Sequence, residues 1–451
     1  MIRMTKNHYD VLIVGGGISG AALFYELAKY TNIQKIALVE KYECLSKLNS
    51  HGTSNSQTIH CGDIETNYTL EKAIKVKETA NMVTKYCLQH KHEGKIMFAH
   101  QKMAIGVGDT EVEYMQNRYE SIKGLYPYLE VYDKEKLAQI EPKLVFDANG
   151  KERPENVIGV GVEVDANEYS TVDFGAMSES LVEEAKKIEG KTTDVFFNSQ
   201  VLSIKKFGDI HVVMTKDHTF TADFVVVNAG AHSLFLAHQM GFGHDFACLP
   251  VAGSFYLSKK KILNGKVYMV QNPKLPFAAL HGDPDILADG CTRFGPTALV
   301  LPKLERYVNG TYLDFLQTLR LDHNVIKVFY DLMKDSDIRN YIFRNFFFEV
   351  PKYGKELFIK DARKLVPSLQ LEDIEYAKRF GGVRPQVIDK KTKKLMLGEA
   401  SINPGGGIVF NMTPSPGATS CLGNARRDVR LVCEYLGKTF DENLFNQELI
   451  D

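Results

Sequence analysis

Residues 9–40 read YDVLIVGGGISGAALFYELAKYTNIQKIALVE, and this stretch decides the fold. Val11-Leu12-Ile13-Val14 is an apolar run without polar alternation, as in a strand buried on both faces of a parallel sheet. Gly15, Gly16 and Gly17 follow at once, and Ser19 and Gly20 sit in the first turn of a helix expected from Ile18. Gly15 permits a tight turn, Gly17 lets the backbone approach phosphates, and Gly20 permits close packing of helix on strand. The helix start offers its free N–H groups and positive dipole end to a pyrophosphate. Lys35–Val39 reads as a second strand ending at Glu40, twenty residues beyond Gly20, with Lys41 next to it. A carboxylate there accepts a ribose 2′-OH and disfavours a 2′-phosphate, so NADP is not the expected cofactor. A lone GxGxxG is a common turn, whereas strand, glycines, helix, strand and acid in that order make a dinucleotide-binding unit. Its place almost at the N-terminus points to a flavin enzyme.

The chain has 451 residues, 44% of them hydrophobic and 25% charged, with a formal net charge of −1. That length implies two or three domains. The near-neutral charge gives no reason to expect a nucleic-acid partner, and no run of roughly eighteen apolar residues offers a membrane span. The opening MIRMTKNHYD lacks the apolar region of a secretory signal, so a cytoplasmic protein is expected. Seven cysteines show no CxxC pair and no zinc-like spacing, so reduced thiols and no metal site are expected.

The fold class expected is α/β: a Rossmann-type FAD-binding domain with an interleaved α+β substrate domain built on an antiparallel sheet. Val225-Val226-Val227 runs into Asn228-Ala229-Gly230, after a helical stretch near 174–187 and a strand pair near 195–207 that includes Val201. This looks like a returning part of the nucleotide domain, with Val201, Ala229 and Gly230 near the cofactor. Residues 1–91, 151–234 and 366–451 are assigned to that domain, and 92–150 and 235–365, which alternate more like antiparallel sheet, to the substrate domain. Thr413–Ser420 is expected to open a helix after two prolines, its free N–H groups stabilising negative charge on a reduced flavin.

Several segments resemble a known family. Residues 55–69, NSQTIHCGDIETNYT, resemble the segment of malate:quinone oxidoreductases and L-2-hydroxyglutarate dehydrogenases in which a histidine sits beside the flavin ring. PFAALH (276–281) and RFGPTAL (293–299) look like the paired strands that bring a catalytic histidine to the substrate. GGVRPQVID (381–389) and TPSPGATS (413–420) are similar to the C-terminal flavin-contacting segments. The details, including KVYMVQNPKLPFAALHGDPD, most resemble a shorter branch of the malate:quinone oxidoreductases. The resemblance covers about two thirds of the chain. It implies FAD contacts at Ser56, Gln57, Thr58, Gly382, Pro416, Gly417, Ala418 and Thr419. It also implies malate oxidation, membrane quinone as acceptor, and peripheral contact with the inner face of the cell membrane.

The residues support that chemistry at lower resolution. Oxidising a 2-hydroxy acid requires a base for the hydroxyl proton, a hydride acceptor facing C2, and cations for the carboxylate. His281, at the end of an apolar strand-like run, is the expected base as hydride passes from C2 to flavin N5. A structural role is the usual fate of a histidine, and the family position argues against it here. His60 is expected to contact the cofactor and is the alternative base. Arg384, in a glycine-turned loop, and Arg293 are the expected carboxylate anchors, because guanidinium pairs bidentately with carboxylate. Lys102 is a further candidate for the second end of a dicarboxylate.

No segment reads as a quinone site. Residues 339–360 interleave aromatics with Arg339, Arg344, Lys352, Lys355 and Lys360, a composition that suits anionic lipid headgroups or, more simply, a core strand flanked by solvated charges. Three alternatives stay open: an L-2-hydroxyglutarate dehydrogenase or oxidase, an amino-acid or amine oxidase of the same flavin superfamily, and a flavin-bound module without turnover.

Overall fold

The structure is a computed structural model that describes residues 7–163, 168–271, 279–350, 353–396, 398–414 and 416–451. Lys352, Ser415 and residues 276–278 of the PFAALH segment lie outside the described residues.

The opening unit folds as its sequence dictates. His8–Val14 is a strand, Ile18–Tyr30 a helix and Lys35–Val39 a second strand parallel to the first. Thr219–Val227 pairs parallel to the first strand on its other side, and Ile408–Met412 pairs parallel to Val225–Val227 beyond it. Thr192–Phe196 extends the opposite edge, parallel to Lys35–Val39. Val11 and Ile13 face a cluster with the first helix and the helices Phe174–Lys186 and Cys421–Leu436. Leu12 and Val14 face a second cluster with Val225, Val227 and Leu234. The sheet is therefore covered on both faces, which explains the unbroken apolar run.

Two larger sheets and a two-stranded pair of Met97–Phe98 with Thr171–Val172 carry the rest of the described strands. Tyr256–Ser258, Lys266–Met269, His281–Pro284 and Thr292–Gly295 join Lys102–Val107 and Val157–Val162 in an eight-stranded mixed sheet. Phe246–Ala252 and Val383–Asp389 form the centre of a small antiparallel sheet between it and the nucleotide sheet.

Some sequence expectations fail. Thr192–Phe196 and Ser203–Phe207 are strands but do not pair with each other, because the second joins Ile210–Met214 instead. Val157–Val162, Ile374–Tyr376 and Val383–Asp389 hydrogen-bond to strands of the substrate side, across the expected boundaries at 151 and 366. Antiparallel pattern in 235–365 stops at Val300. Four helices follow, Thr311–Leu319, His323–Lys334, Ser336–Phe348 and Tyr353–Leu365, so residues 339–350 are no core strand. Asp322 and Asp335 cap the second and third of these by accepting backbone N–H groups, a local signal that outweighs the β-like aromatic composition. The C-terminal helix starts at Cys421, after a turn over 416–420.

Candidate active site

A cavity of about 550 Å³ runs from the glycine turn to the small antiparallel sheet. Gly15, Gly17, Ser19, Glu40, Lys41, Ser56, Thr58, Val201, Ala229, Gly230, Gly382, Pro416, Gly417 and Ala418 line it, together with His60 and Arg384. The sequence thus brings both ends of the chain and its middle to one hollow.

The glycines divide the labour. Gly15 has φ +110°, and a Cβ on it would lie 2.4 Å from Asn228 O. A Cβ on Gly20 would lie 1.9 Å from Gly15 O, so this glycine sets how closely helix meets strand. Gly17 is different: a Cβ there meets only Ser50 Oγ, at 3.2 Å, and otherwise points into open cavity. Gly16 does not line the cavity; its N–H donates to Glu40 Oε2 at 2.7 Å, while Tyr42 N–H donates to Oε1 at 2.9 Å. Burial raises the Glu40 carboxyl above its ordinary value, and these two N–H groups pull it back. An open face at Gly17, a helix start beside it and a carboxylate at the second strand's end fit the pyrophosphate and ribose of FAD.

Besides Gly16 and Gly20, two expected cofactor contacts do not line the cavity. Gln57 is fully buried and bolts loop to strand, its amide donating to Asp285 Oδ1 at 2.9 Å and its oxygen accepting Ile286 N–H at 3.1 Å. Thr419 lies behind the cavity wall, where Oγ1 accepts His60 N–H at 3.1 Å. It positions the histidine.

At the other end, Arg384 lies on the strand Val383–Asp389 with no carboxylate or hydrogen-bond partner among the described residues. Burial lowers its affinity for protons, and Tyr341, Tyr268 and Tyr68 lie close enough to favour the cation. Its strand is fixed to the nucleotide side by Asn49, which accepts Val383 N–H at 2.9 Å and donates to Val383 O at 2.8 Å. Gly381 has φ +96°, and a Cβ on it would collide with Gly253 O at 1.7 Å.

His60 faces the same cavity. Its Nδ1 lies 2.6 Å from Glu65 Oε1, and Glu65 Oε2 accepts Gly62 N–H at 2.8 Å. No described group hydrogen-bonds to Nε2.

His281 is elsewhere. It is 2% exposed, does not line the cavity and stacks on Tyr268 at 4.2 Å with an interplanar angle of 7°. Its Nδ1 is 3.0 Å from Ala279 O, and its Nε2 lies 3.2 Å from Asp283 Oδ2 without a hydrogen bond of good geometry among the described residues. Arg293 is not an anchor either: it is fully buried, donates to Gly52 O at 2.9 Å, lies 3.3 Å from Asp285 and stacks over Phe255. Lys102, also fully buried, is consumed by Asp63 at 2.5 Å.

The sequence reading missed the charges that explain these positions. Lys266, Asp283, Arg293 and Asp285 form a fully buried alternation of cation and anion beneath the site. Burial opposes ionisation of Asp283, but Lys266, His281 and Arg293 outweigh it and hold the carboxyl well below the usual carboxylate range. The signal was present in HGDPD, where period two puts His281, Asp283 and Asp285 on one face of a strand. Glu65, five residues after His60 in a tight loop, was also readable.

The family model described as malate:quinone oxidoreductase matches residues 7–448. A Campylobacter jejuni protein named probable malate:quinone oxidoreductase is 61% identical, covering 99% of this chain and 100% of its own. The malate:quinone oxidoreductase of Helicobacter pylori is 50% identical, covering 98% of each. Among solved structures, dithionite-reduced L-alpha-glycerophosphate oxidase from Mycoplasma pneumoniae with FAD bound has a TM-score of 0.64 at 23% identity, covering 94% of each chain. That likeness is one of fold. The chain belongs to the malate:quinone oxidoreductase family.

Proposed function

We infer that the protein is an FAD-dependent dehydrogenase that oxidises (S)-malate to oxaloacetate and passes the electrons to membrane quinone. The observation that carries this reading is Arg384, a cation without a carboxylate partner among the described residues, lining the same cavity as the dinucleotide cradle and His60. Gly15, Gly17, Glu40 and Pro416–Ala418 would hold FAD, which would supply the hydride acceptor. Arg384 binds a substrate carboxylate through its planar fork, and the hydroxyls of Tyr68 and Tyr341 beside it complete an anion site. His60 takes the 2-hydroxyl proton at Nε2. Glu65 accepts Nδ1–H and so holds the ring in the tautomer whose Nε2 is a base, and Thr419 fixes the backbone that carries it. His281 and Arg293 belong to the buried charges under the site. An acceptor dissolved in lipid requires the protein to meet the membrane, and we place it at the inner face as a peripheral protein. No helix of the described residues is long and apolar enough to cross a membrane.

The test is anaerobic mixing of the purified yellow protein with (S)-malate, L-2-hydroxyglutarate, lactate and amino acids, for wild type and Arg384→Lys. Malate should bleach the flavin fastest, a soluble quinone analogue should restore the colour, and NAD should not. Arg384→Lys keeps the charge without the fork, so it should raise the malate concentration needed by about tenfold or more while flavin content stays unchanged. Faster bleaching by L-2-hydroxyglutarate reassigns the substrate, since one methylene is worth only ~1–3 kcal/mol. Bleaching by amino acids alone overturns the reaction class.

A further inference from the structure

Half of the exposed large apolar side chains among the described residues lie between Tyr307 and Tyr353, about a tenth of the chain. They are arranged as helix faces. Ile326 and Tyr330 share one face of His323–Lys334, while Val325 and Val328 fill the core from another. Phe343, Phe346 and Phe347 project from Ser336–Phe348, while Asn345 and Phe348 are buried. A surface helix of a soluble protein carries mostly charge on its outer face, whereas these outer faces set large apolar side chains among paired charges, Lys327 with Asp331 and Arg344 with Asp361.

Charge decides what covers them. The stretch from Tyr307 to Tyr353 holds six Lys and Arg against six Asp and Glu, so it presents no net field to anionic headgroups. Arg344 is moreover spent on Asp361. Extended to Asp361, so as to take in Lys355 and Lys360 of the basic composition that suggested electrostatic contact in the sequence, the stretch still balances, eight against eight. Position decides the rest: Tyr307 and Val308 are both exposed and line the active-site cavity, so the apolar stretch begins at the cavity's own wall.

We propose that this helical face inserts its side chains into the apolar layer of a lipid bilayer, and that it sets the cavity wall at Tyr307 and Val308 against the membrane so that a long-chain quinone reaches the site without entering water. The proposal rests on quinone being the acceptor. It makes binding indifferent to lipid charge.

The experiment is flotation of the purified flavin-loaded protein with phosphatidylcholine vesicles, with and without anionic lipid, at low salt and at about 1 M salt, where the screening length is ~3 Å. Equal flotation in all four conditions is expected. The exposed triple variant Phe343→Ser/Phe346→Ser/Phe347→Ser should float about tenfold less, as should Leu313→Ser/Leu316→Ser made separately. Both variants should raise the KM for a long-chain quinone in vesicles by a similar factor and leave malate turnover with a water-soluble quinone analogue unchanged. Wild type that floats only with anionic vesicles, or loses them in high salt, overturns insertion. Variants that float like wild type overturn the face, and a wild-type dimer that the triple variant splits assigns the face to a second copy. Failure of malate turnover with the soluble analogue in wild type strikes the functional reading alone, because flotation is read without it.

Discussion

At the scale of single residues, the site turns on which imidazole lines the cavity. Glu65 meets Nδ1 of His60, which lines the cavity, and no described group hydrogen-bonds to Nε2; in our proposal this carboxylate makes the histidine a general base. Asp283 and Ala279 face the two nitrogens of His281, which is stacked under Tyr268 and out of the cavity. Replacing His60 by Gln should therefore slow flavin bleaching by malate by ~10²–10⁴-fold with the flavin retained, whereas His281→Gln should slow it by less than about tenfold and act mainly through stability. Stopped-flow absorbance under nitrogen reads both, and a His281→Gln protein slower than His60→Gln would restore the opposite assignment. The sequence held His60, His281 and Arg384 in view but not their neighbours. Histidine roles depend on what surrounds the ring: Asp283 was readable two residues on in the same strand, but Tyr268, which stacks on His281 from the neighbouring strand, is set by a register that no local motif states.

Among elements, the strand, glycine turn and helix at the N-terminus were readable to the residue, because each boundary has its own steric reason. The glycines there also make separable demands. Gly17→Leu puts bulk into open cavity and touches only Ser50, so the protein should fold, with unchanged thermal stability of the apoprotein, and purify colourless. Gly20→Ala drives a methyl into Gly15 O and must push the first helix off its strand, so it should lower the apoprotein's stability by several kcal/mol, in the range of overpacked cores. Absorbance and urea unfolding of the two variants separate these effects. A yellow, active Gly17→Leu protein would remove the pyrophosphate from this turn. The four helices after Val300 were not legible in the same way. Phe and Tyr favour strands on average, and the runs RNFFF and IKVFY lose that preference only because aspartates cap the helices and tertiary packing buries one face.

The whole molecule carries buried ionisable groups whose free energies respond to pH in opposite senses. Glu141, fully buried, accepts from Gln101 and Gly265, and burial pushes its carboxyl up to about 7 from 4.5. A raised carboxyl favours the fold most below 4.5, and that advantage is lost as pH rises through 7, a swing on the order of 3 kcal/mol. His211, held down to about 4 by burial, works the other way, its contribution present above 6.5 and lost as pH falls through 4. Glu141→Gln, neutral at every pH, should gain stability relative to wild type between pH 5 and 8 by about 1–3 kcal/mol, measured as urea midpoints across that range. Parallel pH profiles for the two proteins would contradict the assignment of this group. Chain organisation on this scale was legible in outline, in that strands from both ends and the middle of the chain do meet in the central sheet. Its boundaries were not, because strand partners are chosen across hundreds of residues. The central sheet has a further consequence for how the protein is made. His8–Val14 pairs early with Lys35–Val39 but finds its second neighbour only when Thr221 arrives, 213 residues after His8, and the far side of that neighbour closes only with Ile408–Met412. At ~5–20 residues per second the first strand waits on the ribosome for roughly ten to forty seconds with one edge open. Chaperone capture during synthesis should therefore be heaviest on the nascent N-terminal third, and a chain cut short before its last strands should accumulate as an aggregate that never turns yellow.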